Sequence, residues 1–565
     1  MTLKIFSVKY TKYKSDYLRK TENMNISIFW DNGTSQQFTA EKNVLNSFIL
    51  TPPEQSKKVT VTTRFPVNDV HGIWYNACDG GPAARLLWNV EFNSGLQSYI
   101  PYIAFFNRAS MLRGSIALTN LIDDSKFHAA LNQELCTYDI TVEISITPET
   151  PEFQLLLDLR TEITWQQSLE SWRKAQNVAL PTFPAAAWDP VFCTWYAVHA
   201  AVTADWVERC VPLMLDCGFT TLIVDDGWCY EDMKRVSPET LPVWYEKVGD
   251  WEVSPVKFPD FTAHVQRMQA LGVKYMLWVA PHFIGVKSRA YTEYAGKTHN
   301  TVHEGTAHLN AANRETAEAV SSKLAQLAAE HGLNGLKIDF LNIVSNDVNN
   351  PNGRDTLHLI KKLTGALREN DPDSLIEFRQ AYATLATMPY ATQFRAGDVP
   401  FDWMLNFARL VTIRLCMGDN IPIHADPAYW ATGESPENIA RHMISTLVGV
   451  PMLSMDLEKF SSQEKLIVSY WIGFYNQHRD LLNHGHWEFM FGCRDIDGAI
   501  VANAQQRIVF LLDAGRLPEI LALGKNTIIL NLSAQVLEVP EAETFACTGR
   551  PGVSGRISLG GWGQI

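Results

Sequence analysis

Apolar and polar positions alternate through the first 160 residues or so. Runs such as Val59-Thr60-Val61-Thr62, Ser98-Tyr99-Ile100-Pro101-Tyr102-Ile103 and Asp139-Ile140-Thr141-Val142-Glu143-Ile144 send every second side chain to one face. That is the period of a half-buried strand. Turn residues separate the runs, as in Asp31-Asn32-Gly33 and Asp79-Gly80-Gly81-Pro82. A β-sandwich is the expected outcome. The period then becomes helical around Ser168–Gln176, followed by a Pro/Ala-rich linker from Leu180 to Ala187.

From Phe192 a different pattern repeats. An amphipathic helix over Ala204–Cys217 stops at Gly218, although Pro212 weakens it. The apolar run Thr221–Val224 follows and ends in Asp225-Asp226-Gly227-Trp228. Phe261–Leu271 stops at Gly272 and leads into Tyr275–Val279, ending in Ala280-Pro281-His282. Arg314–Glu330 stops at Gly332 and leads into Gly335–Ile338, ending in Asp339. Helix, glycine cap, short continuous apolar strand and polar strand end make a βα unit whose strand is buried on both faces. The series extends through Leu375–Phe378, Gln393–Ala396, Asn420–His424 and Val450–Ser454. With Phe192–Tyr196 first, that makes eight strands and predicts an α/β chain built on a central (β/α)8 TIM barrel. The tail alternates again at Ala499–Ala502, Arg507–Leu511 and Thr527–Leu530. The expected domains are an N-terminal β-sandwich over 1–165, a helical linker over 166–187, the barrel over 188–485 and a small C-terminal antiparallel β domain over 486–565.

Composition narrows the function classes. The net charge is −13, which disfavours a phosphate-backbone partner. No apolar stretch reaches membrane-spanning length, and the N-terminus lacks a signal-like apolar core. Nine cysteines without CxxC spacing suit a reducing, cytoplasmic compartment and argue against a zinc site. His303 and His308 have no carboxylate partner pattern, and the Gly549–Gly563 segment lacks a strand–loop–helix context for phosphate.

The chemistry is concentrated at the polar strand ends, which a barrel gathers around one axis. These are Asp225 and Asp226, Lys337 and Asp339, Glu377 and Arg379, Arg395 and Asp398, and His424 and Asp426. Strand ends can be polar simply because they face solvent. Converging carboxylates without a metal cluster are also what glycoside hydrolysis needs, one attacking and one protonated. Lys337 and Asp339 are two apart on a strand and share a face, so a cation lies beside that carboxylate and should lower its pKa.

At these positions the sequence resembles the α-galactosidases of glycoside hydrolase family 36, in the melibiase-like clan. The resemblance runs through Cys193-Thr194-Trp195-Tyr196, Val224–Trp228, Gly249-Asp250-Trp251, Lys257-Phe258-Pro259, Trp278–Pro281, Leu336–Phe340 and Arg395-Ala396-Gly397-Asp398. It implies Asp339 as nucleophile, which Lys337 would keep anionic, and Asp398 as general acid/base, which must stay protonated near neutral pH although Arg395 close by opposes that. It further implies that Asp225 and Asp226 bind the O4 and O6 hydroxyls of a galactosyl ring. Lys337, Arg395 and Trp278 would line the sugar site, and Trp74 would reach it from the N-terminal domain. The family has a Cys- and Gly-rich segment after strand five; here it is Ile376-Glu377-Phe378-Arg379-Gln380. Glu377, Arg379 and Gln380 are therefore candidates for contact with the sugar or a charged aglycone, or for a structural ion pair at the barrel rim.

The resulting expectation is a cytoplasmic, retaining, exo-acting α-galactosidase of small oligosaccharides, with a carbohydrate as partner and no metal or organic cofactor. Neither nucleic acid nor membrane is expected as a partner, and the sequence leaves the oligomeric state open. Three alternatives stand beside it: an α-galactosyl transglycosylase of the raffinose synthase type, a hydrolase of another α-glycoside, and a non-catalytic sugar-binding protein.

Overall fold

The computed structural model describes residues 24–76, 87–344, 347–492, 495–540 and 542–565. The predicted turn at 79–82 and the extreme N-terminus lie outside them.

The N-terminal alternation folds as two antiparallel sheets of six and five strands. The strand Lys58–Pro66 shows the period of two directly, burying Val59, Val61, Thr63 and Phe65. Its neighbours match it in register, with Val61 opposite Ile28 on one side and Val142 on the other. These side chains meet Ile103, Phe105, Ile116, Leu155 and Leu157 of the second sheet in one core. The second sheet is apolar on both faces, as the fully buried strand Tyr102–Phe106 shows. Its other face, with Tyr102 and Leu112, packs on Trp165, Leu169 and Trp172 of the helix Trp165–Ala175 and so joins the barrel core. That helix starts at a capping box made by Thr164 and Gln167.

The barrel follows the predicted series. Its strands, in chain order, are Val191–Cys193, Thr221–Val224, Lys274–Val279, Gly335–Ile338, Leu375–Arg379, Gln393–Arg395, Ile423–His424 and Met452–Leu453. All pair in parallel with their sequence neighbours, and the eighth returns to the first. Single bridges at His424–Val450 and Ala428–Leu453 join the seventh strand to the eighth. Gly335 is a necessity of this closure: a Cβ there would stand 1.9 Å from the Leu375 carbonyl oxygen.

Two details differ from the sequence reading. Between the third strand and the helix Arg314–His331, the chain inserts a three-stranded sheet of Phe283–Gly285, Thr298–His303 and Thr306–Leu309. The C-terminal six-stranded sheet is not wholly antiparallel. Arg507–Leu511 and Thr527–Asn531 pair in parallel, because the short helix Leu517–Leu521 carries the chain back before the second strand begins.

Candidate functional site

The carboxyl ends of the barrel strands surround one pocket, lined by Asp225 and Asp226 on one wall and Asp339, Arg379, Arg395 and Asp398 on the other. Its free volume of about 30 Å³ holds only two or so water molecules. The side chains themselves fill most of the space.

Asp225 and Asp226 follow the second strand. Asp225 Oδ2 is 2.5 Å from Lys337 Nζ and 3.2 Å from Cys193 Sγ, so the thiol and the ammonium both donate to it. Asp226 Oδ2 accepts from Trp244 Nε1 at 2.6 Å and from the Tyr230 hydroxyl at 2.9 Å. Its other oxygen, Oδ1, is buried and has no hydrogen-bond partner within the protein. Burial pushes the Asp226 carboxyl up to about 6, against the pull of those two donors. The turn behind the pair requires Gly227, which has φ +113° and a backbone so close to Ala200 that a Cβ would stand 2.5 Å from its Cα. Lys257 ties this loop down from beneath. Its buried Nζ donates to the carbonyls of Ala200 (2.5 Å), Gly227 (2.8 Å) and Asp232 (2.5 Å).

Asp339 follows the fourth strand. Trp278 Nε1 donates to its Oδ2 at 3.0 Å, and the Phe340 backbone N–H donates to Oδ1 at 2.7 Å. Phe340 has φ +54°, an uncommon conformation for an aromatic residue that turns the chain away just beyond the carboxylate. Lys337 Nζ lies 3.9 Å from Asp339 Oδ2, on the same face as expected, although its closer partner is Asp225. Burial works against the charge on Lys337, but contact with Asp225 outweighs it and holds the ammonium firmly protonated.

The fifth and sixth strands bring two arginines to the opposite wall. Arg379 Nε is 2.7 Å from Asp339 Oδ1, and its Nη1 is 3.3 Å from both Asp398 oxygens. One guanidinium therefore spans the two carboxylates. Arg395 donates to Asp398 at 3.1 Å and makes a closer ion pair with buried Asp426. Glu377 sits beneath, 3.4 Å from Arg395 Nε and bonded to Gln393 Nε2 at 3.1 Å. It is buried under the pocket rather than lining it, and burial raises its carboxyl. Burial likewise pushes Asp426 up to about 7, with Arg395 opposing.

Asp398 departs from the sequence expectation. Burial alone would raise its carboxyl, but Arg379, Arg395 and Lys337 outweigh this and hold it well below the usual carboxylate range. Its side chain keeps 49% of its surface open at the mouth, so solvent screens part of each effect. The direction rests on two guanidinium groups in direct contact. In this arrangement Asp398 is an anion at neutral pH rather than the protonated acid the sequence called for.

The family model of the melibiases matches the stretch that begins in the linking helix and carries Asp225, Asp226, Trp278, Lys337 and Asp339. The match covers residues 173–359, the first four strands of the barrel. A probable α-galactosidase G of Emericella nidulans is 25% identical over 148 residues, 24% of this chain. The match spans a fifth of that relative's own length. The α-galactosidase of Lactobacillus brevis superposes with a TM-score of 0.62 at 14% identity, covering 85% of this chain and 77% of that one. A family 36 α-galactosidase variant of Geobacillus stearothermophilus, solved in complex with raffinose, gives 0.61 at 13% identity, covering 85% and 72%. At those identities the likeness is one of fold.

The melibiase match ends before the fifth strand, so Glu377, Arg379, Arg395 and Asp398 lie beyond it. Structure alone brings Arg379, Arg395 and Asp398 to the same pocket as the carboxylates of the matched stretch. It does not bring Trp74 there. That indole is buried in the seam between sandwich and barrel, stacked on Trp165 at 5.0 Å, because its strand faces the linking helix. His424 turns under the pocket toward the Ala187 carbonyl (2.7 Å), and His303 and His308 lie on the inserted sheet. Among the described residues no group of three or more His, Cys, Asp or Glu side chains could hold a metal. Sequence reasoning missed Trp244 and Tyr230, which hold Asp226, and the pairing of Asp426 with Arg395. Only the position of Asp426 just after a strand signalled it.

Proposed function

We propose that this chain is a retaining, exo-acting α-galactosidase of small oligosaccharides, working through Asp339 as nucleophile and Asp398 as general acid/base. One observation carries the reading: two carboxylates from separate strands lie close enough for a single guanidinium to touch both, opposite a second carboxylate pair. Retaining glycosidases need their two carboxyl groups about 5–5.5 Å apart. In the first step Asp398, having taken up a proton as substrate displaces Arg379 from it, gives that proton to the departing oxygen as Asp339 forms a bond to the anomeric carbon and the glycosidic bond breaks. In the second, Asp398 takes a proton from water as that water displaces Asp339 from the sugar. Trp278 and the Phe340 N–H orient the nucleophile. The unpartnered Oδ1 of Asp226 is an acceptor for a sugar hydroxyl. Arg395, held by Asp426, keeps Asp398 in place. The Geobacillus protein's complex with raffinose supports an oligosaccharide substrate. All seven cysteines among the described residues are free, and no described helix is long and apolar enough to cross a membrane; both suit the cytoplasm.

The test is a panel of aryl α-glycosides together with a 2-fluoro-galactosyl trapping reagent and mass spectrometry. Release of aryl alcohol from the α-galactoside, with a galactosyl adduct on the peptide containing Asp339, is the expected result. Activity confined to another α-glycoside, or an adduct elsewhere, overturns it.

A further inference from the structure

The contacts of Arg379 are hard to reconcile with a neutral substrate. Its guanidinium touches Asp339 at 2.7 Å and Asp398 at 3.3 Å, and its carbon lies 4.6 Å over the Phe340 ring. Retaining chemistry, on the reading above, requires the anomeric carbon between those same two carboxyl groups. A glycosyl ring therefore displaces the guanidinium. Arginine cannot shed its charge to ease the move. It would leave two anionic partners, Asp339 buried and Asp398 at the mouth, each with one cation fewer. The cations that remain are only partial replacements: Lys337 is held by Asp225 and stands 3.9 Å from Asp339, and Arg395 divides itself between Asp398 and its closer partner Asp426. Asp226 belongs to the second strand, across the pocket with the sugar between. A stray cation beside the reaction centre would also oppose the positive charge that develops on the anomeric carbon.

We propose that the substrate itself supplies the missing anion: the site takes α-galactosides whose leaving group carries a carboxylate or sulfate, and Arg379 is the residue that recognises it. The anion belongs on the leaving group rather than on the galactosyl ring. The ring lies against Asp225 and Asp226, which repel a charge there. The leaving group lies toward the mouth, where Asp398 is half exposed and Arg379 borders it. A forked guanidinium matches a planar carboxylate or a sulfate with two parallel hydrogen bonds. Its transfer to the substrate at once clears the space between Asp339 and Asp398 and removes one of the two guanidinium contacts on Asp398, which eases uptake of the proton its acid role needs. Arg379 lies beyond the melibiase match, in the segment that departs from the family's Cys- and Gly-rich pattern.

This rests on the galactosidase reading and is tested apart from it with matched substrates. α-Galactosyl glycerate and α-galactosyl glycerol differ only in a carboxylate against a hydroxymethyl group. A sulfated and an unsulfated aryl α-galactoside, with the sulfate on the aryl ring, form the second pair. The expected result for the wild-type protein is a kcat/KM about 10- to 100-fold higher on the anionic member of one pair or both, the range of a charge-assisted hydrogen bond. Which pair shows it separates carboxylate from sulfate. Arg379→Met should invert the preference, losing rate on the anionic substrate and gaining it on the neutral one. Arg379→Lys, a charge without the fork, should keep part of it. The wild-type ratio stands even if the Met variant does not fold. Equal hydrolysis of both members of both pairs overturns the proposal and leaves the galactosidase reading intact. Hydrolysis of none of them, nor of a plain aryl α-galactoside, overturns both.

Discussion

Asp226→Ala separates a sugar-binding acceptor from a structural carboxylate. Oδ2 already has two donors, Trp244 and Tyr230, while Oδ1 is buried and unpartnered. A hydrogen bond from a sugar hydroxyl to that anion is worth about 1.5–3 kcal/mol. Removing the side chain should therefore lower kcat/KM roughly 10- to 150-fold through this bond alone. Stability falls separately, by about 1–3 kcal/mol for each donor left unpaired. The two effects come apart in a cycle of substrate against enzyme. Wild type and Asp226→Ala are assayed on an aryl α-galactoside and on its 4-deoxy and 6-deoxy analogues. For one of the two analogues the wild-type protein should lose the full factor, while the variant, with no acceptor left, loses almost none. A second signature comes from pH. The carboxyl sits at about 6 in the folded protein and near 4 when unfolded, so it accepts a proton early. Sugar affinity carried by the anion should fall as pH drops through 6. The same group's contribution to stability runs the other way: it is full below about 4 and lost as pH rises through 6. If the variant loses one constant factor on all three substrates, Asp226 shapes the loop but does not touch the sugar.

Four other outcomes are expected. Asp339→Gly should abolish turnover and accept rescue by azide, whereas Asp398→Ala should release a burst of nitrophenol from a nitrophenyl α-galactoside and accumulate an adduct seen by mass spectrometry; the reverse pattern would exchange their roles. Gly335→Ala drives a Cβ into the Leu375 carbonyl and should cost 3 kcal/mol or more in chemical denaturation, beyond ordinary overpacking, because the obstacle is backbone. Gln97 of the N-terminal domain donates to the Leu341 carbonyl at 2.7 Å and to Thr356 Oγ1 at 2.9 Å; Gln97→Ala should lower kcat several-fold with little change in KM, because it loosens the turn behind Asp339. Burial raises Asp124 to about 7 against the helix N–H groups of Asn352 and Gly353, so it contributes stability below pH 4 that is lost as pH rises through 7. Asp124→Asn should remove that slope and raise stability at pH 8 by roughly 2–4 kcal/mol in urea titrations at several pH values.

The barrel was legible because its strands combine a continuous apolar run, a preceding glycine cap and a polar end. Thr221–Val224 and Gly335–Ile338 match the prediction residue for residue. The seventh and eighth strands, Ile423–His424 and Met452–Leu453, are two residues long and carry little pattern of their own. They form because the closing barrel has a place for them. The inserted sheet after strand three went unread because its strands are short and mixed in polarity. Trp74 shows a different limit. Its own strand looks the same whether its outer face meets a ligand or another domain, and only the docking of Trp165 decides. The grip on Asp226 comes from Tyr230 and Trp244, in a stretch of turns where no periodicity points anywhere. The charge state of Asp398 depends on Arg379, nineteen residues earlier in the chain, a pairing fixed by barrel register rather than sequence distance.

Lys257 does with an ammonium what many loops do with a bound ion. Three carbonyls converge on its Nζ as they would on a captured cation. A covalently attached cation cannot be chelated, exchanged or diluted away. The loop behind the second strand is therefore ordered from the moment the chain folds, whatever ions the surroundings hold. The arrangement also removes a means of control that a metal would provide: no metal added or withdrawn can loosen this wall of the pocket, and what remains is the proton on Lys257, which burial makes easier to lose, at about pH 8. Adjustment to different ligands has to come from the facing strands, where Arg379 and Arg395 are held by other side chains.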